Sequence, residues 1–223
     1  MEDAKSVLLL SGGLDSFVIL GAFKSKYNID LALTFDYGQK SSVEEIYAAN
    51  KMREYYNIRH EVISLDWLRE ITHSSLVSDD NVPTENLGTN NSAKCVWVPN
   101  RNGLFINIAA CYADSYDYKY ILFGANKDEG ETFPDNTEKF RYDITQTLKN
   151  STLKKPEVLA PLINYSKNDI VKLAVENNVP LEMVYSCYNS GKIHCGKCES
   201  CRHLKNALID NKAYKYVELL FGE

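Results

Sequence analysis

LLLSGGLDSFVIL (residues 8–20) joins a short apolar run to the first turn of an apolar helix. A continuous apolar run of this length is typical of a parallel strand that is buried on both faces. The two glycines lack a Cβ atom, so the backbone there can approach a ligand closely. The N–H groups at the helix start and the positive end of the helix dipole then face an anion. The stretch therefore predicts a phosphate-binding turn between the first strand and the first helix.

Three polar side chains of this stretch can add to a phosphate site. Ser11 and Ser16 offer hydroxyl donors, and Asp15 can cap the helix or meet a metal ion that bridges phosphates. The stretch lacks the Gly-Lys-Ser/Thr end of a Walker A loop. It resembles the SGGxDS signature of the PP-loop pyrophosphatases, which implies cleavage of ATP between the α and β phosphates. An ordinary tight strand-to-helix turn is the alternative interpretation.

Strands and helices alternate along much of the remaining chain. The predicted strands cover residues 5–10, 31–35, 59–65, 118–124 and 157–159, and the predicted helices cover residues 15–24, 43–56, 101–115, 138–150 and 166–177. Strands separated by helices of this length imply right-handed crossovers and parallel pairing. The pattern predicts an α/β fold with a doubly wound, mostly parallel sheet. The resemblance to the PP-loop pyrophosphatases implies that this fold is adenine nucleotide alpha hydrolase-like.

Two regions depart from this alternation. Residues 66–93 are dominated by Ser, Thr, Asn, Asp, Gly and Pro, which predicts a long functional or disordered loop. Residues 198–210 and 214–220 have a helical pattern and follow a cysteine cluster. We predict a PP-loop ATP-binding α/β domain over residues 1–180 and a small zinc-binding helical tail over residues 181–223.

The composition is that of a soluble globular protein. Apolar residues make up 44% and charged residues 25% of the 223 residues, and no apolar stretch approaches the ~20 residues of a membrane-spanning helix. The first residues do not have the basic-then-apolar layout of a signal peptide, so we expect a cytoplasmic protein. The net charge is −5 without a long basic run. This argues against nucleic acid as the partner and leaves room for a small nucleotide.

Four of the six cysteines lie close together in the spacing Cys187-x7-Cys195-x2-Cys198-x2-Cys201. Such a cluster in a cytosolic protein indicates a metal site more often than a set of disulfides. Four thiolates suit a closed, tetrahedral zinc site with a structural role. An iron–sulfur cluster, redox thiols and an unbound set of cysteines are the alternatives.

Other residues near or outside this cluster are expected to have ordinary roles. Because four cysteines fill the zinc shell, His194 and His203 are expected to be solvated or to lie outside the ligand set. Cys111 lies in an apolar, helix-like run and is predicted to be a buried thiol. Lys167 follows Ser166 at a helix start and is predicted to be solvated.

The chain resembles the 7-cyano-7-deazaguanine synthase (QueC) family over nearly its whole length. The resemblance begins with SGGLDS (residues 11–16) and FDYGQK (residues 35–40). VPNRNGLFINIAA (residues 98–110) is similar to the family's VPxRNxxFL segment, and FGANKDEGETFPDNTEKF (residues 123–140) is similar to its substrate loop. The four-cysteine pattern completes the match. The order and spacing of these motifs together are specific.

The resemblance implies an ATP-dependent ligase of queuosine- or archaeosine-type 7-deazapurine biosynthesis. ATP would activate the carboxylate of 7-carboxy-7-deazaguanine as an acyl adenylate, and ammonia would displace AMP to form the amide. A second ATP would activate the amide oxygen, and loss of AMP would leave the nitrile. Backbone N–H groups and Mg²⁺ can stabilise the charge that develops on phosphate. The resemblance also implies a homodimer.

The resemblance further implies roles for individual residues. Catalytic roles fall on Asp15, Ser16 and Lys127. The ATP-binding residues would be Leu10, Ser11, Gly12, Gly13, Leu14, Asp15, Ser16, Phe17, Val18, Ile19, Leu20 and Lys40. The substrate-binding residues would be Arg101, Asn102, Phe133 and Asp135. The alternatives are that Lys40 and Lys127 are solvated, and that Asn102 and Asp135 only cap a helix or a turn.

One segment departs from the family pattern. Phe133-Pro-Asp-Asn-Thr137 stands where many members have Tyr-Pro-Asp-Cys-Arg, so a guanidinium is absent at Thr137. Arg141, one helical turn further on, is a candidate replacement. Two alternatives are left open: an enzyme that stops at the amide, and one that joins the activated carboxylate to another amine.

Two other functions, a different PP-loop enzyme and an RNA-binding module, agree less well with the sequence. A tRNA-thiolating or amidotransferase PP-loop enzyme would need a sulfur-relay cysteine near residues 11–16 or a glutaminase domain, and these 223 residues hold neither. A zinc-stapled RNA-binding module would need a basic, aromatic-rich stripe, which the acidic balance opposes.

Overall fold

The computed structural model describes residues 4–222 and has a 5-stranded parallel sheet at its centre. The strands are β1 (Ser6–Leu9), β2 (Ile29–Asp36), β3 (Arg59–Ser64), β4 (Tyr120–Leu122) and β5 (Glu157–Leu159). Their order across the sheet is β3-β2-β1-β4-β5, and every pairing is parallel. The order reverses between β1 and β4. Open α/β sheets bind ligands at such a switch point, outside the carboxyl ends of the strands.

Helices cover both faces of this sheet. They are α1 (Leu14–Tyr27), α2 (Ser42–Tyr56), α3 (Asp66–Ile71), α4 (Asn90–Cys95), α5 (Arg101–Tyr116), α6 (Lys127–Gly130), α7 (Glu138–Ser151), α8 (Lys167–Glu176), α9 (Glu199–Asp210) and α10 (Tyr214–Phe221). Short 3₁₀ turns lie at Pro134–Asn136 and Leu181–Met183. Within the described residues, no helix is long and apolar enough to cross a membrane.

The side chains of β1 alternate between two cores. Val7 and Leu9 pack into a core that includes residues of α5 and α7. Leu8 and Leu10 pack into the other core, with residues of α1, α2 and α8. Both faces of the strand are therefore buried, which explains why its sequence is continuously apolar. The predicted doubly wound α/β fold is confirmed.

Two local predictions are wrong. Residues 66–93 are not one structureless loop, because α3 and the first turn of α4 lie within them. A capping box at Thr89 begins α4, since its side-chain oxygen accepts a hydrogen bond from Ser92 N at 3.2 Å. Cys111 is exposed, because α5 buries Ala109, Ala110 and Ala113 and turns position 111 away from the sheet.

The C-terminal helices share a core with the main unit. Leu204 and Leu208 of α9 and Val217 of α10 are buried in the same cluster as Val171 of α8. This packing carries the cysteine-rich segment to the side of the β1–α1 loop. The division of the chain at residue 180 stays a prediction.

Candidate functional site

A cavity of ≈ 210 Å³ lies at the carboxyl ends of the strands, against the β1–α1 loop. Ser11, Gly13 and Asp15 line it from that loop, Tyr37 lines it from the turn after β2, and Gly124 lines it from the segment after β4. This position coincides with the switch point of the sheet. The fold therefore brings the predicted phosphate loop to the edge where α/β proteins bind ligands.

The conformation of the β1–α1 loop requires its first glycine. Gly12 has a φ of +80°, and a Cβ atom there would lie 2.5 Å from the carbonyl oxygen of Glu45. Gly13 is the residue before α1 and has no side chain to cap the helix. Ser16 Oγ accepts a hydrogen bond from Ser11 N at 3.2 Å and donates one to Gly13 O at 3.1 Å. The N-terminus of α1 is thus held at the cavity by a tight, internally bonded turn.

Lys167 lies at the centre of an ion-pair cluster in this cavity. Its Nζ is 2.5 Å from Asp15 Oδ2 and 2.8 Å from Glu129 Oε1, and only 14% of the side chain is exposed. Burial opposes the charged form, but the two carboxylates raise the pKa of Lys167 overall. The prediction that Lys167 is solvated is wrong, because α8 begins beside the β1–α1 loop.

Asp15 keeps one carboxylate oxygen for a further partner. Oδ2 accepts hydrogen bonds from Lys167 and from Asn126 Nδ2, whereas Oδ1 is buried and has no hydrogen-bond partner within residues 4–222. Burial raises the pKa of Asp15, and Lys167 opposes this effect. A buried carboxylate oxygen without a partner is costly. Mg²⁺ binds proteins through one or two carboxylates together with substrate phosphates, so Asp15 fits a magnesium ligand.

Arg101 brings a second cation to the cavity. Its Nη1 donates a hydrogen bond to the Tyr37 hydroxyl at 3.0 Å. Tyr37 raises the pKa of Arg101 further, although burial opposes this. Burial also opposes ionisation of Glu129, but the Lys167 ammonium lowers the pKa of Glu129. The cavity therefore combines fixed cations and carboxylates, an arrangement that suits an anionic ligand bound with a metal ion.

A smaller cavity of ≈ 40 Å³ adjoins the first and shares Arg101 and Glu129 with it. Phe133 and Trp97 line this cavity, and their rings are stacked with centroids 5.7 Å apart and planes 13° apart. Aromatic faces are good contact surfaces for a planar heterocycle. The second cavity is therefore partly aromatic and lies next to the Arg101 guanidinium.

Asn102 and Asp135 bond to each other at the edge of the two cavities. Asn102 N donates to Asp135 Oδ2 at 3.3 Å, and Asn102 Nδ2 donates to the Asp135 carbonyl oxygen at 3.3 Å. Asp135 Oδ1 accepts a hydrogen bond from Asn136 Nδ2 at 3.0 Å. The Asp135 carboxylate therefore caps the first turn of α5. A direct role of either residue in binding the substrate stays a prediction.

Several of the residues predicted to bind ATP, together with the predicted catalytic residue Lys127, lie away from the cavity. The Lys40 ammonium contacts the carbonyl oxygen of Asp80, in a separate surface cleft. Lys127 is exposed at the start of α6. Phe17, Val18, Ile19 and Leu20 are buried in the core behind the loop. Arg101, which was predicted to contact the substrate, lines the cavity, as does Lys167, whereas Lys40 and Lys127 do not.

Thr137 and Arg141 are engaged outside the cavity. Thr137 Oγ1 accepts a hydrogen bond from Phe140 N at 3.1 Å and so caps α7. Arg141 Nε donates to Glu138 Oε2 at 2.8 Å, and its Nη1 donates to the Val158 carbonyl oxygen at 2.8 Å. Arg141 braces α7 against β5 and does not replace the guanidinium that is missing at Thr137.

The sulfur atoms of Cys187, Cys195, Cys198 and Cys201 all lie within 4.8 Å of one another. The sulfurs of Cys195 and Cys201 are 3.8 Å apart, which matches the separation of about 3.8 Å expected when four Zn–S bonds of ~2.3 Å point to a tetrahedron. Cys198 N donates a hydrogen bond to Cys195 Sγ at 3.3 Å, as suits a thiolate. All four cysteines are free of disulfides. The donor set fits a structural metal ion.

The cysteine cluster contacts the phosphate loop through the two residues that precede Cys187. Tyr185 N donates a hydrogen bond to Gly12 O at 2.9 Å. Leu14 N, in the first turn of α1, donates to Ser186 Oγ at 3.3 Å. A metal ion that orders Cys187 would therefore also order the loop.

His194 helps to hold Ser186 in the position from which it contacts the β1–α1 loop. Its Nε2 accepts a hydrogen bond from Ser186 N at 2.9 Å, and its ring lies between the rings of Tyr185 and Phe221. Burial lowers the pKa of His194, which is consistent with a neutral ring that accepts at Nε2. His194 lies beside the sulfur ligands and is buried, whereas His203 is exposed.

Neither Glu129 nor Ser186 was predicted from the sequence as a site residue, and Lys167 was predicted to be solvated. One signal was available for Lys167: Ser166 and Asp169 form a capping box, with Asp169 N donating to Ser166 Oγ at 3.2 Å. A helix that starts after a parallel strand starts at the carboxyl edge of the sheet, so Lys167 is placed at the ligand edge. No comparable local signal marks Glu129 or Ser186.

A parallel sheet of this order with a serine-glycine loop after β1 defines the class: an α/β protein of the adenine nucleotide alpha hydrolase, or PP-loop, type. The U34-tRNA thiolase NcsA from Methanococcus maripaludis has a related fold, with a TM-score of 0.52 and 17% identity over 97% of this chain and 69% of the thiolase chain. At this level of identity the likeness concerns the fold alone.

The family is narrower than the fold. The family described as "Queuosine biosynthesis protein QueC" matches residues 5–212. A 7-cyano-7-deazaguanine synthase from Carboxydothermus hydrogenoformans is 46% identical over 209 residues, which is 91% of this chain and 97% of that protein. A synthase of the same name from Methanosarcina mazei is 44% identical over 208 residues, which is 88% of this chain and 90% of that protein. The chain belongs to the QueC family.

Proposed function

We propose that the protein converts 7-carboxy-7-deazaguanine and ammonia to 7-cyano-7-deazaguanine, with cleavage of ATP to AMP and pyrophosphate. The observation that carries this proposal is the cavity in which the β1–α1 loop meets Asp15, Lys167 and Glu129. Membership of the QueC family supplies the substrate class. The adjoining aromatic cavity suits the planar deazaguanine ring.

The chemistry begins with a carboxylate, which is a poor electrophile. The substrate carboxylate attacks the α-phosphorus of ATP, pyrophosphate leaves, and the acyl carbon gains AMP as a leaving group. Lys167 and the N-terminus of α1 face the phosphates and stabilise the negative charge that develops there. Asp15 Oδ1 would hold Mg²⁺, which neutralises phosphate charge when bound. Arg101 lines both cavities and would hold the substrate carboxylate between them.

We propose zinc for the four-cysteine site because a closed set of four thiolates suits structural zinc. Its role is to hold the segment before α9, which contacts the loop through Tyr185 and Ser186. The homodimer and the cytoplasmic location are proposals that rest on the family resemblance and the sequence composition.

The test incubates the purified protein with ATP, Mg²⁺, ammonium and 7-carboxy-7-deazaguanine and follows the products by mass spectrometry. We expect the nitrile. Thr137 lacks the guanidinium that many family members have at this position, and Arg141 does not replace it, so the amide is measured as well. Amide as the end product would favour an enzyme that stops at the amide. Absence of AMP release with this substrate would refute the proposal. An Asp15→Ala variant with an unchanged circular dichroism spectrum should release no AMP.

A further inference from the structure

The cavity holds a third carboxylate, that of Glu45, which differs from the other two in its surroundings. Asp15 and Glu129 are both paired with Lys167. Glu45 also lines the cavity, from the first turn of α2, and no lysine, arginine or histidine in the described residues forms an ion pair with it. A half-buried carboxylate without a partner cation needs an explanation.

Two neutral donors hold the Glu45 carboxylate in place. Ser41 Oγ donates to Oε1 at 2.7 Å, and Gln39 Nε2 donates to Oε2 at 2.8 Å. Gln39 is itself fixed, since its Nε2 also donates to Phe35 O at 3.1 Å and its Oε1 accepts from Tyr37 N at 3.0 Å. Each carboxylate oxygen has two lone pairs and one of them is used. The group is therefore oriented and still has acceptor positions for a donor that enters the cavity.

The walls near Glu45 suit a small cation. Phe35, Tyr37 and Phe105 line the same cavity, and apolar walls keep water away and so strengthen the attraction between a carboxylate and a cation. Burial raises the pKa of Glu45, while Ser41, Gln39 and the charge of Arg101 oppose this and Asp36 adds to it. A carboxylate with a raised pKa is a better proton acceptor than an exposed one. At neutral pH the nitrogen substrate in water is largely ammonium, which has four N–H donors and no lone pair for attack.

We propose that Glu45 binds the incoming ammonium ion and takes up its proton, so that the ammonia formed attacks the adenylated carboxyl carbon. One N–H bond breaks, and its proton goes to a Glu45 oxygen while the electron pair stays on nitrogen. That pair forms the C–N bond, and the bond from carbon to the AMP oxygen breaks with its electrons. The surplus proton on the amide nitrogen goes to water, Glu45 later returns its proton to solvent, and nothing is oxidised or reduced. This inference rests on the proposed function.

The experiment compares Glu45→Gln with the wild type in three reactions. Substrate-dependent exchange of labelled pyrophosphate into ATP reports adenylation and needs no ammonium, so we expect it to be retained. Amide and nitrile formation from ammonium should fall by about 10²-fold or more, as for loss of a general base. Hydroxylamine is largely unprotonated at neutral pH and needs no such base, so hydroxamate formation should be retained. Glu54→Gln, an exposed change on the same helix, is the matched control.

The outcomes separate the two claims. If the wild type shows no pyrophosphate exchange, the proposed function itself is refuted, whatever Glu45→Gln does. The role of Glu45 is refuted if Glu45→Gln keeps ammonium-dependent turnover, or if it loses pyrophosphate exchange or hydroxamate formation to the same extent. Thermal melting confirms folding of each variant. Glu45→Asp, which keeps a carboxylate but shortens its reach, should raise the KM for ammonium and leave pyrophosphate exchange unchanged; an unchanged KM for ammonium would also count against the proposal.

Discussion

The Lys167 ammonium lies 2.5 Å from the Asp15 carboxylate, although 152 residues separate them in the chain. The contact joins the first turn of α8 to the first turn of α1, directly at the β1–α1 loop. A buried ion pair contributes little net stability over apolar packing, because removing both charges from water is costly. A cation held here by two carboxylates is better explained by the anionic ligand that we propose for this loop.

Lys167→Met should abolish most of the adenylation activity. We expect substrate-dependent pyrophosphate exchange to fall by at least ~10²-fold, because a positioned cation is removed from the phosphate site. Lys172→Met, an exposed change on the same helix, should leave the rate unchanged. The rates are compared well below the melting temperature, since Asp15 and Glu129 lose their partner in the first variant. Wild-type exchange in Lys167→Met would exclude Lys167 from the ATP site.

Ser186→Ala should weaken ATP binding without unfolding the protein. The change removes the oxygen that accepts from Leu14 N at 3.3 Å, so the first turn of α1 loses an anchor worth about 1 kcal/mol. We expect the Kd for Mg-ATP, measured by calorimetry, to rise about fivefold, since 1.4 kcal/mol corresponds to tenfold. Ser190→Ala is the control, because that side chain is exposed. Equal affinities in the two variants would show that the Ser186 contact does not order the loop.

Removal of the metal should loosen the C-terminal helices and the phosphate loop together. Structural zinc supplies ~10–16 kcal/mol of apparent binding free energy in small domains. We expect one zinc per chain by elemental analysis, and a lower Tm and weaker ATP binding after chelation or in Cys198→Ser. Cys95→Ser and Cys111→Ser, at exposed positions, should keep the metal and the wild-type Tm. Iron in place of zinc would overturn the choice of metal, and unchanged ATP binding in Cys198→Ser would contradict the coupling to the loop.

The sheet and the loop could be predicted from the sequence because their signals are local. The apolar run of β1, the following glycines and the cysteine spacing each lie within a short segment. Arg101 was named from the family resemblance and does line the cavity, but the position of Lys167 could not be predicted from a local pattern. Lys127 and Lys167 both follow a cap residue at a helix start, and only the packing of α8 against α1 shows that Lys167 reaches Asp15. α3 was missed because its 6 residues are too few for a helical repeat.

Asp30, near the amino-terminal end of β2, should stabilise the protein in a pH-dependent way. It accepts hydrogen bonds from the Tyr118 hydroxyl and from Lys5 Nζ, and these lower the pKa of Asp30 although burial opposes them. A lowered folded-state pKa stabilises the protein above the unfolded-state pKa of ~3.9, and this stability is lost as the pH falls through the folded-state value. Asp30→Asn should therefore lower the free energy of unfolding by about 1–2 kcal/mol at pH 7.

The pH series for Asp30→Asn uses urea unfolding from pH 7 downwards. The difference in the free energy of unfolding between the wild type and Asp30→Asn should be constant down to about pH 5. It should disappear below about pH 4, where the wild-type carboxylate takes up its proton. ATP affinity should stay unchanged, since the amino-terminal end of β2 is far from the cavity. Asp210→Asn, at an exposed position, should show no such gap. A gap that widens on acidification would contradict the direction of the pKa change.

Comparing Gly12→Ala with Gly88→Ala distinguishes two costs of an alanine at the β1–α1 loop. One is the strain of a positive φ, and the other is the steric clash between the new Cβ atom and the backbone of α2. Both glycines have a positive φ, +80° and +73° respectively, so alanine costs ~1–2 kcal/mol of strain at either position. At Gly88 nothing lies within 4 Å of the added Cβ, whereas at Gly12 the Cβ would lie 2.5 Å from the Glu45 carbonyl oxygen. Overpacking adds ~1–3 kcal/mol, so we expect Gly12→Ala to be the less stable variant by about that amount in urea unfolding. Because α2 carries Glu45 and cannot yield without moving it, the loop must shift, and ATP affinity should fall in Gly12→Ala alone. Equal stability and equal ATP affinity in the two variants would show that α2 does not confine the loop.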